Sequence, residues 1–435
     1  MVLSFKTGSF TRRTSPGSQS ITGIGFQPKM LLFIGNNTTE NSFLSNTDFH
    51  IGFSDGVNDK NYSSTANDAQ DPVLCNSRWH TSTIFSNSTT LSFSTLMAVT
   101  SFDSDGFTVN LSIATATASV IHYIAIAGDL SNVNVGQFNA PNATGDDAVT
   151  GIGFMPDFVM LLGTNMTSDD LVSDTISSYC VGACNGNGDQ AVSSICIQDA
   201  SSPPNAARYQ RTNACLAMFN TGTAASLTHE ASFSSMNSDG FTLNYSTASV
   251  ANKRVAYLAL KDCQTKIGTI TSPTAGVAPV AQATTGIGFQ PRGVIFQTVG
   301  NTSSVSIVDH LRSSFGFTDG TDQMCSWTGF EDVTSTCVTA VRQDNNPCIR
   351  VSDEAVSAAS TTTQALADIT SLDADGFELS WSVKDTNAYE IIYIAFGDAE
   401  AEAVTEDKKT QFVSFLPINE ITSNIGARYT NTSMC

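Results

Sequence analysis

The residues of this chain that could do chemistry are few, and their spacing assembles no familiar catalytic group. The five histidines, His50, His80, His122, His229 and His310, are scattered along the sequence at no common interval. No Gly-x-Ser-x-Gly elbow, His-Glu-x-x-His pair or phosphate-binding glycine loop occurs. Cys180-x-x-x-Cys184 has a spacing that could open a zinc site, but no second pair or histidine follows at ligand distance. Asp105, Asp239 and Asp375 each stand directly before a glycine, and no acidic cluster surrounds them. An Asx-type turn is the expected role there, with calcium ligation the lesser alternative. Taken together, these residues predict a protein without enzyme activity, cofactor or metal.

The Asp-Gly pairs belong to a larger pattern. Thr22-Gly23-Ile24-Gly25-Phe26 returns as Thr150-Gly151-Ile152-Gly153-Phe154 and as Thr285-Gly286-Ile287-Gly288-Phe289. Asp105-Gly106-Phe107, Asp239-Gly240-Phe241 and Asp375-Gly376-Phe377 keep step with it, as do Tyr123-Ile124-Ala125, Tyr257-Leu258-Ala259 and Tyr393-Ile394-Ala395. A weaker landmark lies in mid-repeat, at Gly52-Phe53-Ser54-Asp55-Gly56, Gly182-Ala183-Cys184-Asn185-Gly186 and Gly316-Phe317-Thr318-Asp319-Gly320. All recur at about 128 to 136 residues, far beyond the roughly 20–50 of solenoids and propellers. One domain-sized unit is written three times, over 5–131, 132–264 and 265–400, with an extension over 401–435.

Composition sets the class. Only 14% of residues are charged, while there are 31 Gly and 26 Phe in a Ser/Thr/Asn-rich chain, which disfavours surface helices and favours strands. Phe107, Val109 and Leu111 alternate with polar residues behind the Asp-Gly turn, as in a half-buried strand. Met30 to Ile34 and Val120 to Ile126 are continuously apolar, as in strands buried on both faces. The glycines of Thr-Gly-Ile-Gly-Phe alternate with apolar residues and predict a strand closely overlain on one face. The expected fold is all-β: three tandem antiparallel β-sandwich domains and a short C-terminal extension. The joins between units are short, so the domains should pack on one another.

Other features limit the partners. Forty acidic and 20 basic residues give a net charge of −20, which repels nucleic acid and anionic membranes. No apolar run reaches the ~20 residues of a membrane span, and the N-terminus enters a strand pattern without a secretory leader. The ten cysteines are too few for a disulfide scaffold. Cys215 and Cys348, at equivalent repeat positions, are expected to be half-buried core thiols, with a local bridge in the second repeat left open. Asn-x-Ser/Thr sequons at Asn61, Asn87, Asn142, Asn165 and Asn301 match what chance produces in such a composition, and are expected to be unmodified. In the extension, Phe412-Val413-Ser414-Phe415-Leu416 alternates like a strand that caps a sheet edge or joins a neighbour.

Two resemblances add to this reading. The run from Asp375-Gly376-Phe377 through Trp381 and Tyr389 to Gly397 resembles the H-type lectin domain, a small antiparallel sandwich that assembles in threes and binds sugars at subunit edges. That implies the fold, and it suggests that three fused copies form a pseudo-threefold disc, with an elongated row as the competitor. Trp381 is replaced by Leu111 and Tyr245 in the other copies, so the sugar contacts do not carry over. The tandem writing over about 5–398 is similar to uncharacterised repeat proteins of tailed bacteriophages, among virion structural genes. It implies a virion surface protein, made in the host cytoplasm, that decorates the capsid and bridges coat subunits. The implied partners are the major capsid protein, other virion proteins or copies of itself. Phe412, Phe415 and Leu416 are the expected interface anchors, and Gly106, Gly240 and Gly376 the structural turns. The alternatives are a receptor- or glycan-binding fibre protein, touching its host through 58–67 and 199–208, or a secreted lectin-like protein.

Overall fold

The computed structural model describes residues 2–399, apart from 37, 40, 90, 91, 129, 174, 221–225, 303–305, 332–335 and 354–360. The first repeat lays out β1 (Ser4–Thr11), β2 (Gly17–Thr22), β3 (Met30–Gly35), β4 (Thr47–Ser54), β5 (Asp59–Ala66), β6 (Cys75–His80), β7 (Phe85–Thr89), β8 (Ser92–Asp103), β9 (Gly106–Ile113) and β10 (Val120–Ala127). An inner sheet takes the order β1-β10-β3-β4-β5-β6, and an outer sheet the order β2-β9-β8-β7. The second and third repeats reproduce both sheets, and the pairings are antiparallel. The chain is all-β, three tandem antiparallel sandwiches. All three lie in one compact unit, Met1–Ala399.

The continuously apolar strands are explained by two cores. Because side chains alternate across a strand, β3 sends Leu31 and Phe33 into the core of its own sandwich. Met30, Leu32 and Ile34 on its other face enter a second cluster. The equivalent strands do the same: Val159 and Leu161 pack inside the second sandwich and Val294 and Phe296 inside the third, while Met160, Leu162 and Ile295 join the second cluster. That cluster is shared by all three repeats. Phe396 of the third repeat has its ring 5.7 Å from that of Phe5 in the first and 5.1 Å from that of Phe158 in the second. Phe49 and Tyr179 stack between the first and second repeats at 4.4 Å. Every pair of repeats is in contact, which a row would not permit.

Two expectations need correction. The Thr-Gly-Ile-Gly-Phe glycines form a loop, not a strand: Gly23 and Gly25 have φ of +85° and +89°, and nothing lies within 4 Å of a Cβ at either. They are glycines for their backbone angle, not for a close neighbour. The segment 58–67, expected as a loop, is mostly the buried strand β5.

A recurring bulge explains another set of residues. The register shifts after Val99 in β8, after Phe233 and after Ile369, and such a shift takes a backbone N–H out of the ladder. Each of these N–H groups is met by a side chain from the facing sheet: Asp59 Oδ2 at 2.8 Å, Gln190 Oε1 at 2.7 Å and Gln323 Oε1 at 2.7 Å. Two repeats use a neutral amide and the first a carboxylate. Burial pushes Asp59 up to about 6, against the hydrogen bonds from Ser54 and Val99. The folded chain therefore holds a proton, between about pH 4 and 6, that the unfolded chain has released, and this residue's contribution to stability falls as pH rises through that window. Asp59→Asn should raise stability at pH 7.5 by on the order of 2 kcal/mol, with the gain vanishing near pH 4. Thermal melts of both proteins across that range check it.

Candidate functional site

The sequence-predicted turn residues are structural. Gly106, Gly240 and Gly376 follow two-residue hairpin turns with φ of +152°, +151° and +158°. A Cβ there would lie 2.0, 2.0 and 1.8 Å from the carbonyl oxygens of Ile21, Val149 and Thr284. The preceding aspartates do not make the expected local turn. Asp105 accepts from Gly23 N at 3.0 Å and Gly25 N at 2.7 Å, Asp239 from Gly151 and Gly153 at 3.0 and 2.6 Å, and Asp375 from Gly286 and Gly288 at 3.0 and 2.6 Å. The two strongest repeat landmarks are thus the halves of one clamp. Phe412, Phe415 and Leu416 lie outside the described residues.

Most of the remaining candidates are buried, while His80 and His310 are half-buried. His50 and His122 come within electrostatic reach of each other inside the first repeat, and burial holds His50 well below the usual histidine range, helped by the charges of His122 and Arg12. Cys215 and Cys348 are fully, not half, buried, and donate to Ala231 O and Ala367 O. Among the described residues nine cysteines are free thiols, and Cys184 lies within hydrogen-bonding reach of Cys215. Among the described residues no cluster of three His, Cys, Asp or Glu is placed to hold a metal. Asn61, Asn87, Asn165 and Asn301, four of the sequon asparagines, are buried. Trp381 is also buried, donating its indole N–H to Gln282 at 2.8 Å.

The chemistry-bearing residues the sequence did not reveal sit at the joints between repeats. At each joint, one repeat adds backbone to the sheet edge of another. Leu171–Ser173 of the second repeat pairs with β6, Val308–Asp309 of the third with Ala206–Arg211 of the second, and Leu44 of the first bridges to Val341 of the third. The anchor positions Ser77, Arg208 and Val341 are equivalent, so the joints run cyclically, second on first, third on second, first on third. Gln343 reinforces one joint, accepting from Asn36 N at 3.1 Å and donating to Val120 O at 2.9 Å. Gln210 repeats this with Val299 N and Glu390 O, both at 3.3 Å. The mid-repeat turns close the other side. Asp55 accepts from Val135 N, Asp319 from Thr7 N, and Asn185, an amide, donates to Thr265 O. Lys6 pairs with Asp319 and Asp322, and Lys266 with Asp189.

Just past the third strand of each inner sheet stands a buried asparagine, Asn36, Asn165 and Asn301, its position shifting by one residue from repeat to repeat, and each reaches into a joint. Its recurrence after an apolar run was the available signal. Asn36 donates its amide to Trp327 O and Asn165 to Ile176 O, both at 3.1 Å. The third joint differs, because it opens into a cleft of about 220 Å³ lined by Arg208, Gly300, Asn301, Thr302, Val308, Arg312, Asn387 and Tyr389. Arg208 donates through Nε to Asn301 Oδ1 at 2.8 Å and through Nη1 to Asp309 O and His310 O. Arg312 donates to Gln364 Oε1 at 2.9 Å. The Tyr389 hydroxyl lies 2.7 Å from both Gln364 Oε1 and Asp385 Oδ2. Burial lowers Arg208 to about 9, and the charge of Arg312 adds to this. Asn301 Nδ2 is buried and has no acceptor.

Removing the Gln343 side chain should loosen one joint and leave the sandwiches intact. Gln343→Ala takes the side-chain partner from the buried Asn36 N, at about 1–3 kcal/mol, and from the half-buried Val120 O, at less. Hydrogen exchange should quicken at Asn36 and around Val338–Asp344, while the outer-sheet hairpin of β8 and β9 keeps its protection. No protein-family model matches the chain and no curated protein matches it, so a functional reading rests on the chain's own residues.

Proposed function

We propose that the chain is a non-enzymatic virion structural protein of bacteriophage type, a decoration protein that sits on the capsid and bridges neighbouring coat subunits. The observation that supports this most is the cyclic set of joints: three equivalent sandwiches contact one another pairwise through the same positions of each repeat. A single chain then presents three related outer faces, as a trimer would, which suits a threefold or quasi-threefold point of a shell. The resemblance of its repeated residues to the H-type lectin domain and to phage repeat proteins is in keeping with this reading, and so is the strongly acidic composition, which keeps an abundant surface protein soluble. Bridging is mechanical in this account, burying coat surface that the coat alone leaves exposed. Phe412, Phe415 and Leu416 supply the apolar anchors.

Quantitative mass spectrometry of purified particles is the test. Hundreds of copies per particle are expected, against a few to a few dozen for a tail fibre. Absence from particles would end the virion reading. Replacing Phe412, Phe415 and Leu416 together with Ser should lower occupancy on the shell without changing the melting temperature of the three sandwiches.

A further inference from the structure

Among the described residues, each outer sheet has one edge strand open to solvent. The far edges, at Phe85 to Asn87, Leu216–Phe219 and Ile349–Ser352, are buried. The near edges, Gly17–Thr22, Gly145–Thr150 and Val280–Thr285, pair on one side only and expose every second residue along most of their length. An open edge offers unpaired N–H and C=O groups to any extended segment, and proteins guard such edges with charge or a covering side chain. The first two repeats are guarded. Arg13 lies across Gly17, its Nη1 2.9 Å from where a Cβ would stand, and donates to Ser18 O. Gly145–Thr150 carries Asp146 on its exposed face and Asp147 on the face that buries Val149. The third edge has neither device. Pro273 stands where the first repeat has Arg13, and Ala281 and Gln282 stand where the second has Asp146 and Asp147. The chain carries no charged residue from Ile267 to Pro291.

We propose that Val280–Thr285 is a self-association edge, pairing antiparallel with the same strand of a second copy of this chain. Strand addition is mainly main-chain bonding, so charge selects the occupant. Two copies at −20 each repel wherever their acidic surfaces meet, and the uncharged run is a stretch at which they can approach. Glu378 lies opposite Ala283 on the next strand in, set back from the edge. Because side chains alternate, like faces stay aligned with fullest overlap when the twofold axis passes through Gln282 or Ala283. Ala281 then lies opposite Ala283 or Thr285 of the other copy, and small uncharged side chains meet. Val277, 90% exposed just ahead of the strand, is carried to the other copy's 286–289 loop, where Phe289 is half-buried. Six residues span about 20 Å, so the dimer is weak and reversible, in the class of interfaces below roughly 1,200 Å². The closed pair has used the unguarded edge of both copies, and association stops at two. This inference goes beyond bridging and holds whether or not the chain decorates a shell.

Sedimentation equilibrium of the full chain, from micromolar to millimolar concentration at low and high salt, is the test. A monomer–dimer equilibrium is expected, tighter at high salt because screening weakens the repulsion between acidic copies. Amide exchange within Val280–Thr285 should slow as the dimer fills. Ala281→Asp gives the third edge the exposed carboxylate of the second, and should weaken dimerisation at least tenfold at an unchanged melting temperature. Asp146→Ala with Asp147→Gln makes the reverse exchange and opens a second edge, so this chain should pass beyond the dimer to larger species. A chain that stays monomeric throughout, a dimer indifferent to Ala281→Asp, or a double variant that stops at the dimer would overturn the proposal. So would a dimer lost when Phe412, Phe415 and Leu416 are replaced by Ser, which would assign the contact to the extension.

Discussion

The structure depends on a constraint met first at the inner sheets, which are apolar on both faces. A sandwich covers one face with its own outer sheet, but nothing within a repeat covers the other. Met30, Leu32 and Ile34, like Phe158, Met160 and Leu162, are kept from water only by the neighbouring repeats. Burial of apolar surface is the main favourable term in folding, and here a large share of it exists only when all three repeats are assembled. The third strand of each inner sheet is therefore not a property of one domain. Its outward half belongs to a core that three domains own jointly.

The joints follow from that shared core. Once three sandwiches turn their inner sheets toward one another, each inner sheet has an edge beside a neighbour, and unpaired edges attract further strands. Leu171–Ser173, Val308–Asp309 and Leu44 supply that pairing from within the chain. Contacts of this head-to-tail kind generate open filaments unless the rotation closes, and here the third repeat returns to the first through Gln343, Asn36 and the Thr7–Asp319 bond. Conserving the geometry does not require conserving the residue. Asp55 and Asp319 accept a bond where Asn185 donates one, and Asp59 does with a carboxylate what Gln190 and Gln323 do with amides.

Much of the fold was legible because it is local and repeated. Met30 to Ile34 and Val120 to Ile126 announced strands buried on both faces, and Phe107, Val109 and Leu111 announced a half-buried one, each through side-chain period alone. The role of Asp105 was hidden because its partners, Gly23 and Gly25, lie some eighty residues earlier. A glycine needed for a positive φ, such as Gly23, and one needed for a close approach, such as Gly52 with the Ile84 carbonyl oxygen 1.8 Å from where a Cβ would be, look alike in sequence. The cleft was illegible for a different reason. Arg208 and Asn301 come from different repeats, and only the cyclic joint brings them together.

The account's central claim is that the repeats share one core and so fold as one cooperative body. Differential scanning calorimetry of the purified chain tests it most directly, through the ratio of calorimetric to van't Hoff enthalpy. The shared core predicts a single transition with a ratio near one across all three repeats. Resolved transitions, or a ratio near three, would mean that the sandwiches unfold independently and that the cluster between them contributes little to holding the chain together.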